Sequence, residues 1–343
     1  MAAPRGDTPE MSATTSLATA RVIDIHAHAV IEETFGQAGA FGPELYDDAG
    51  VPVFRIGDYR LRGVRYRGSA FMDPDLRIAA MDRIGIDWQL LSPNPLTYFH
   101  FIPAAEAAAF CRTHNDALAA VVARYPERLG AAAALPMQDV DAAIAELRRA
   151  VNDLGFRAAY IGTDMPHGLS DPVMDRFYEA VAALDVPLFI HPASAGIDGP
   201  PGPAAFGKFE LDITLGFAMQ EATALATLVF GGVLHRHPSL DICISHGGGA
   251  LALVWGRLRH AAHKRQWVPE YLREDGQFED ALRRIWYDIH MHDDLSLDLL
   301  IERVGRDRLV YGTNFAGWDA PQQADTHGMG TLLADNARKL LRA

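Results

Sequence analysis

Cysteine is nearly absent: Cys111 and Cys243 are the only two in 343 residues. They lie far apart, without the paired spacing of a disulfide framework or a zinc knuckle. That excludes a disulfide-stapled secreted scaffold and points to a reduced, cytoplasmic compartment. Basic charge is short as well. Lys and Arg number 31 against 44 Asp and Glu, for a formal net charge of -13 and a pI near 5.5. Nucleic acid and anionic membrane both require concentrated Lys and Arg, so neither is expected as a partner, and a small molecule is. No apolar run reads as long enough to span a bilayer, and the first twenty residues lack the apolar stretch of a secretory signal. Met1 to Ala20, rich in Ala, Ser, Thr and Pro, reads as a disordered tail.

What is present is a large supply of core. Hydrophobic residues make up 49% of the chain, and its length suits one barrel with insertions. A β-branched run from Val22 leads into His26 and His28. A long insertion, residues 31–74, follows; Val51–Ile56 and Tyr59–Tyr66 around Gly57-Asp58 predict a hairpin that covers the end of the first strand. Apolar strands then alternate with helices: Asp87–Ser92, Leu129–Leu135, Ala158–Ile161, Val186–Ile190, Ile242–Ser245, Ile285–Ile289 and Leu309–Tyr311. The helices between include Ala104–Arg124, Pro172–Leu184 and Leu211–Phe230. Eight strands with helices between them predict an α/β fold of the (β/α)8 TIM barrel type, one domain over residues 21–343.

Such barrels carry their chemistry at the carboxyl ends of the strands. The first strand ends in His26 and His28, whose i, i+2 spacing sends both rings to one face. The fifth ends in His191, and the sixth in His246 followed by Gly247-Gly248-Gly249. The seventh ends in Asp288, His290 and His292, and the eighth in Gly312-Thr313-Asn314. Imidazoles converging from separate strands are the ligand set of a divalent metal. His235 and His237 repeat the spacing but precede the sixth strand, which puts them at the opposite mouth as surface residues. His114, His260 and His263 fall within helices, where solvent or core packing is the default.

The ordered set Asp24-Ile25-His26-Ala27-His28, Phe71-Met72-Asp73-Pro74, Ile190-His191-Pro192, Ser245-His246-Gly247-Gly248-Gly249 and Arg308-Leu309-Val310-Tyr311-Gly312-Thr313 resembles the decarboxylases of the amidohydrolase superfamily. The resemblance implies one divalent ion, usually zinc with manganese the alternative, held by His26, His28 and His191, and His246 acting on metal-bound water. It also implies that Arg65 and Arg257 hold the substrate carboxylate, Arg257 from a neighbouring subunit, and hence a homodimer. A planar guanidinium suits that task because it donates two parallel hydrogen bonds to a carboxylate.

One position departs from the pattern. The family has aspartate where this chain has Asn314, and an amide brings no charge and cannot act as a base near neutral pH. Asn314 itself, Asp319, Asp288 or His290 is left to supply the further ligand. The expected activity is metal-dependent, non-oxidative decarboxylation of an unsaturated or aromatic carboxylic acid. A hydrolase or hydratase on the same scaffold is the alternative, and a binding protein that has lost catalysis is the third.

Overall fold

A parallel sheet of eight strands forms the centre of the computed structural model, which describes residues 16–194 and 197–343. β1 (Ile23–Ala29) is followed by a small antiparallel unit, β2 (Glu44–Asp48), β3 (Val51–Ile56) and β4 (Tyr59–Arg62). Then come β5 (Trp88–Pro93), β6 (Leu129–Ala133), β7 (Ala158–Gly162), β8 (Leu188–His191), β9 (Ile242–Ile244), β10 (Trp286–Asp288) and β11 (Leu309–Val310). The large sheet runs β1-β5-β6-β7-β8-β9-β10-β11. The Ile25 amide donates to the carbonyl of Tyr311, just beyond β11, at 3.0 Å and joins the last strand to the first. The (β/α)8 barrel expected from the sequence is the fold observed.

These strands are apolar on both faces because both are buried. Ile23, Trp88, Leu90, Ala132, Ala158, Phe189, Cys243, Trp286 and Val310 form the interior cluster, whereas Leu91, Ala131, Ala159, Leu188, Ile190, Ile242 and Ile244 belong to the cluster shared with the surrounding helices. β1 breaks this alternation once. Its register against β5 steps from Asp24↔Gln89 to Ala27↔Leu91, so three residues of β1 are set against two of β5. Through this bulge the Asp24 carboxylate turns outward to Gln89 Nε2 (2.8 Å), while His26 and His28 both face the mouth of the barrel.

Three expectations are revised. The tail predicted over residues 1–20 lies mostly outside the described residues, but Leu17 and Ala20 are buried against the bottom of the barrel, so the packed chain begins before Arg21. The hairpin in the insertion is a three-stranded sheet: Gly57-Asp58 does form the turn, with Ile56 opposite Tyr59, but β4 stops at Arg62 and β2 pairs with the other edge of β3. Phe54 and Ile56 on its underside, together with Tyr66 beyond β4, pack with Phe99, Ile102 and Phe110. Third, Leu211–Phe230 is long and apolar enough to cross a membrane by length and composition, contrary to the sequence reading. It divides at Leu215 into two helices, and Gly216–Phe230 lays Ala222, Leu225, Leu228 and Val229 against the barrel.

Candidate metal centre and active site

His26 and His28 leave β1, and His191 ends β8; all three side chains are buried. Their ligand nitrogens lie within 4.8 Å of one another. Each ring is held by its far side. His26 Nδ1 donates to Asp288 Oδ2 (2.8 Å), His28 Nδ1 to Pro93 O (3.0 Å) and His191 Nδ1 to Pro192 O (2.6 Å). Acceptors at all three Nδ1 atoms fix the tautomer with Nε2 unprotonated. Burial, reinforced by the neighbouring imidazoles, holds His26 and His191 well below the usual histidine range, and burial brings His28 to about 3. The rings are therefore neutral.

This arrangement fits a divalent cation. The Nε2 atoms of His26 and His28 are 3.2 Å apart, and two unprotonated nitrogens at that distance repel unless a positive charge lies between them. His191 Nε2 is buried without a hydrogen-bond partner, which is costly in the absence of a ligand. One cation bound by the three nitrogens resolves both.

His246 follows β9 and faces this floor, its ring centroid 4.9 Å from that of His26 and 5.1 Å from that of His191. Its backbone is left-handed, with φ +46. Its Nδ1 donates to Glu221 Oε1 at 2.7 Å, and Ser245 Oγ donates to the same oxygen at 2.5 Å. Glu221 comes from the helix Gly216–Phe230 and is fully buried. Burial alone would push His246 down, but the Glu221 carboxylate outweighs it and raises the ring to about 9. Glu221 thus favours the charged form of His246, whereas burial favours the neutral form of the three imidazoles beside it.

The ends of β10 and β11 distinguish the four residues left open as further ligands. Asp288 is buried behind the site, with Oδ2 on His26 Nδ1 and Oδ1 accepting from the His290 amide (3.0 Å). It orients a ligand. Asn314 Nδ2 donates to Asp319 Oδ1 at 2.7 Å. The other oxygen, Asp319 Oδ2, meets His290 Nε2 at 3.1 Å and His292 Nε2 at 3.4 Å. His246, His290, His292, Asn314 and Asp319 line one cavity, together with Phe217 and Trp318.

Neither arginine is part of this lining among the described residues: Arg65 is exposed on the insertion and Arg257 is exposed on the helix Leu251–Lys264. His237 and His235 both lie ahead of β9, but only His235, stacked on Tyr271, is at the surface as expected; His237 is buried beside Tyr178, where its ring bonds to Asp175 at 2.8 Å. Sequence reasoning missed Glu221, whose signal was a lone carboxylate in an otherwise apolar helix. It also missed Arg77, buried beneath the site with a guanidinium nitrogen 2.6 Å from His28 O.

An amidohydrolase family model matches residues 23–342. A 2-amino-3-carboxymuconate-6-semialdehyde decarboxylase of Dictyostelium discoideum is 28% identical over 301 residues, covering 85% of this chain and 81% of that protein. A gamma-resorcylate decarboxylase of Rhizobium radiobacter is 28% identical over 346 residues, covering 93% and 98%. The solved structure of a 2,6-dihydroxybenzoate decarboxylase complexed with 2,6-dihydroxybenzoate has a TM-score of 0.65 at 26% identity, covering 79% of this chain and 89% of that one.

Proposed function

The chain belongs to the amidohydrolase family, and on that footing we propose that it is a metal-dependent, non-oxidative decarboxylase of an aromatic or unsaturated carboxylic acid. The observation that carries the reading is the His246–Glu221 pair set over three neutral imidazoles. Decarboxylation needs a proton delivered to the carbon that loses its carboxylate, and a histidine held charged is a donor. The three similar proteins described above are all decarboxylases by name, which supports this reaction over hydrolysis or hydration.

His26, His28 and His191 would hold the ion, and an all-imidazole set favours zinc over manganese. When bound, such an ion supplies Lewis-acid attraction for substrate oxygens and lowers the pKa of a ligated water to about 7. His246 transfers its Nε2 proton to the substrate carbon. The bond from that carbon to the carboxylate then breaks, its electron pair returns to the substrate, and carbon dioxide leaves. Glu221 keeps the imidazolium charged and aimed, and Asp288 holds His26 in register.

Arg65 and Arg257 are proposed to grip the carboxylate, Arg257 by reaching across from a second copy of the chain, so the working unit is a homodimer. Cytoplasmic residence is part of the reading, in keeping with the two unpaired cysteines. The test is carbon dioxide release from a panel of hydroxylated benzoates and carboxylated muconates by zinc-loaded enzyme. Release of one equivalent per product is expected, whereas a product heavier by one water, with no gas, would overturn the assignment.

A further inference from the structure

We propose that this chain holds a second divalent transition-metal site, formed by His290, His292 and Asp319, beside the three-histidine site. The two groups are separate, each with its own three ligand atoms within 4.8 Å of one another. His290 and His292 repeat after β10 the His-x-His spacing found on β1. The loop after β11 folds back and sets the Asp319 carboxylate against both rings. The inference is independent of which reaction the neighbouring site performs.

The distances suit an ion. Zinc bonds to nitrogen and oxygen are about 2.1 Å, and two ligands of a tetrahedron at that radius stand about 3.4 Å apart. Asp319 Oδ2 lies 3.1 Å from His290 Nε2 and 3.4 Å from His292 Nε2. The carboxylate is also divided between two tasks. Its Oδ1 receives the Asn314 amide at 2.7 Å, which leaves Oδ2 for the imidazoles. This is the usual relation between a metal ligand and the group behind it.

Asn314 becomes intelligible on this reading. Aspartate at position 314 would set a second carboxylate against Asp319 Oδ1, where the amide instead donates. The residue that departs from the family pattern is the one that equips Asp319 as a ligand. Two imidazoles and one carboxylate select zinc, cobalt or nickel over magnesium or calcium. His292 is 62% exposed on its side chain, so the site opens to solvent and keeps room for water or an anionic oxygen of a bound molecule. The His26 and His290 ring centroids are 5.7 Å apart, which places the two sites side by side.

The experiment counts zinc by elemental analysis after loading and desalting the full-length protein, its variants checked for native circular dichroism. Two equivalents are expected in the unaltered protein. His292→Ala and Asp319→Asn should each retain one, and so should His191→Ala. One equivalent that disappears in His191→Ala and persists in His292→Ala overturns the second site and leaves the three-histidine site standing. One equivalent that disappears in His292→Ala and persists in His191→Ala upholds the second site and removes the first. Two equivalents that persist in both His292→Ala and Asp319→Asn place the second ion elsewhere and overturn the proposal, and no bound zinc overturns both sites.

Discussion

The side-chain amide of Asn314 donates to Asp319 Oδ1 at 2.7 Å, a contact that a second carboxylate at position 314 would turn from attraction to repulsion. In metal-free protein, Asn314→Asp therefore forces one of the two acids to take up a proton, raising its pKa above that of the unfolded chain. The expected loss is about 1–3 kcal/mol at pH 8, shrinking as the pH falls and the shared site protonates. Urea denaturation in the presence of a chelator, at pH 8 and pH 5, measures it. Equal losses at the two values would contradict the contact.

Asp288 sits behind His26, and its role is orientation. Asp288→Asn keeps the shape but removes the charge that holds the His26 tautomer. Zinc affinity should fall about 10–100-fold, the usual consequence of removing the group behind a ligating histidine. Competition against a chromophoric chelator reads this directly. Because Asp288 Oδ1 also accepts the His290 amide, a circular dichroism melt should accompany the measurement.

The histidines were legible because a parallel barrel turns position along the chain into position in space: residues that directly follow apolar runs arrive at one mouth. Even so, simple alternation would have put Asp24 on the same face as His26 and His28. The bulge in β1 separates them, and no local residue pattern announces it. Glu221 was hidden by its place in the middle of an apolar helix, 25 residues before His246. β2 was hidden because Glu44-Leu45-Tyr46-Asp47-Asp48 is nearly all exposed and lacks the alternation that marks a half-buried strand. The roles of Asn314 and Asp319 depend on a loop folding back onto the end of β10, which spacing alone does not reveal.

Gly312 is required by close approach. A Cβ there would stand 2.8 Å from His26 Cβ and 3.0 Å from Asp288 Oδ2. Neither neighbour can give way easily, since both belong to the buried pair that aims the metal-facing nitrogen. Gly312→Ala should cost about 1–3 kcal/mol in stability, as overpacking does, together with most of the zinc affinity. Thermal melts and zinc counting test the two effects separately, and a variant with unchanged melting and unchanged zinc would show that the site tolerates the methyl group.

The pH profile tests the assignment of His246 as proton donor. Burial opposes its charge, the Glu221 carboxylate overcomes that, and the ring is raised from its ordinary value to about 9. A raised histidine contributes stability that is complete below its unfolded pKa near 6.5 and disappears as the pH climbs through 9. Activity should follow the same sign, full where the ring is protonated and falling on the alkaline side, with a bound cation drawing the midpoint downward. Glu221→Gln removes the carboxylate but keeps the hydrogen-bonding outline. Burial and the cation then act unopposed, so the alkaline limb of kcat/KM should move to lower pH by at least one unit. Plain loss of packing would lower the rate at every pH and leave the midpoint in place, as would a mechanism in which His246 carried no proton.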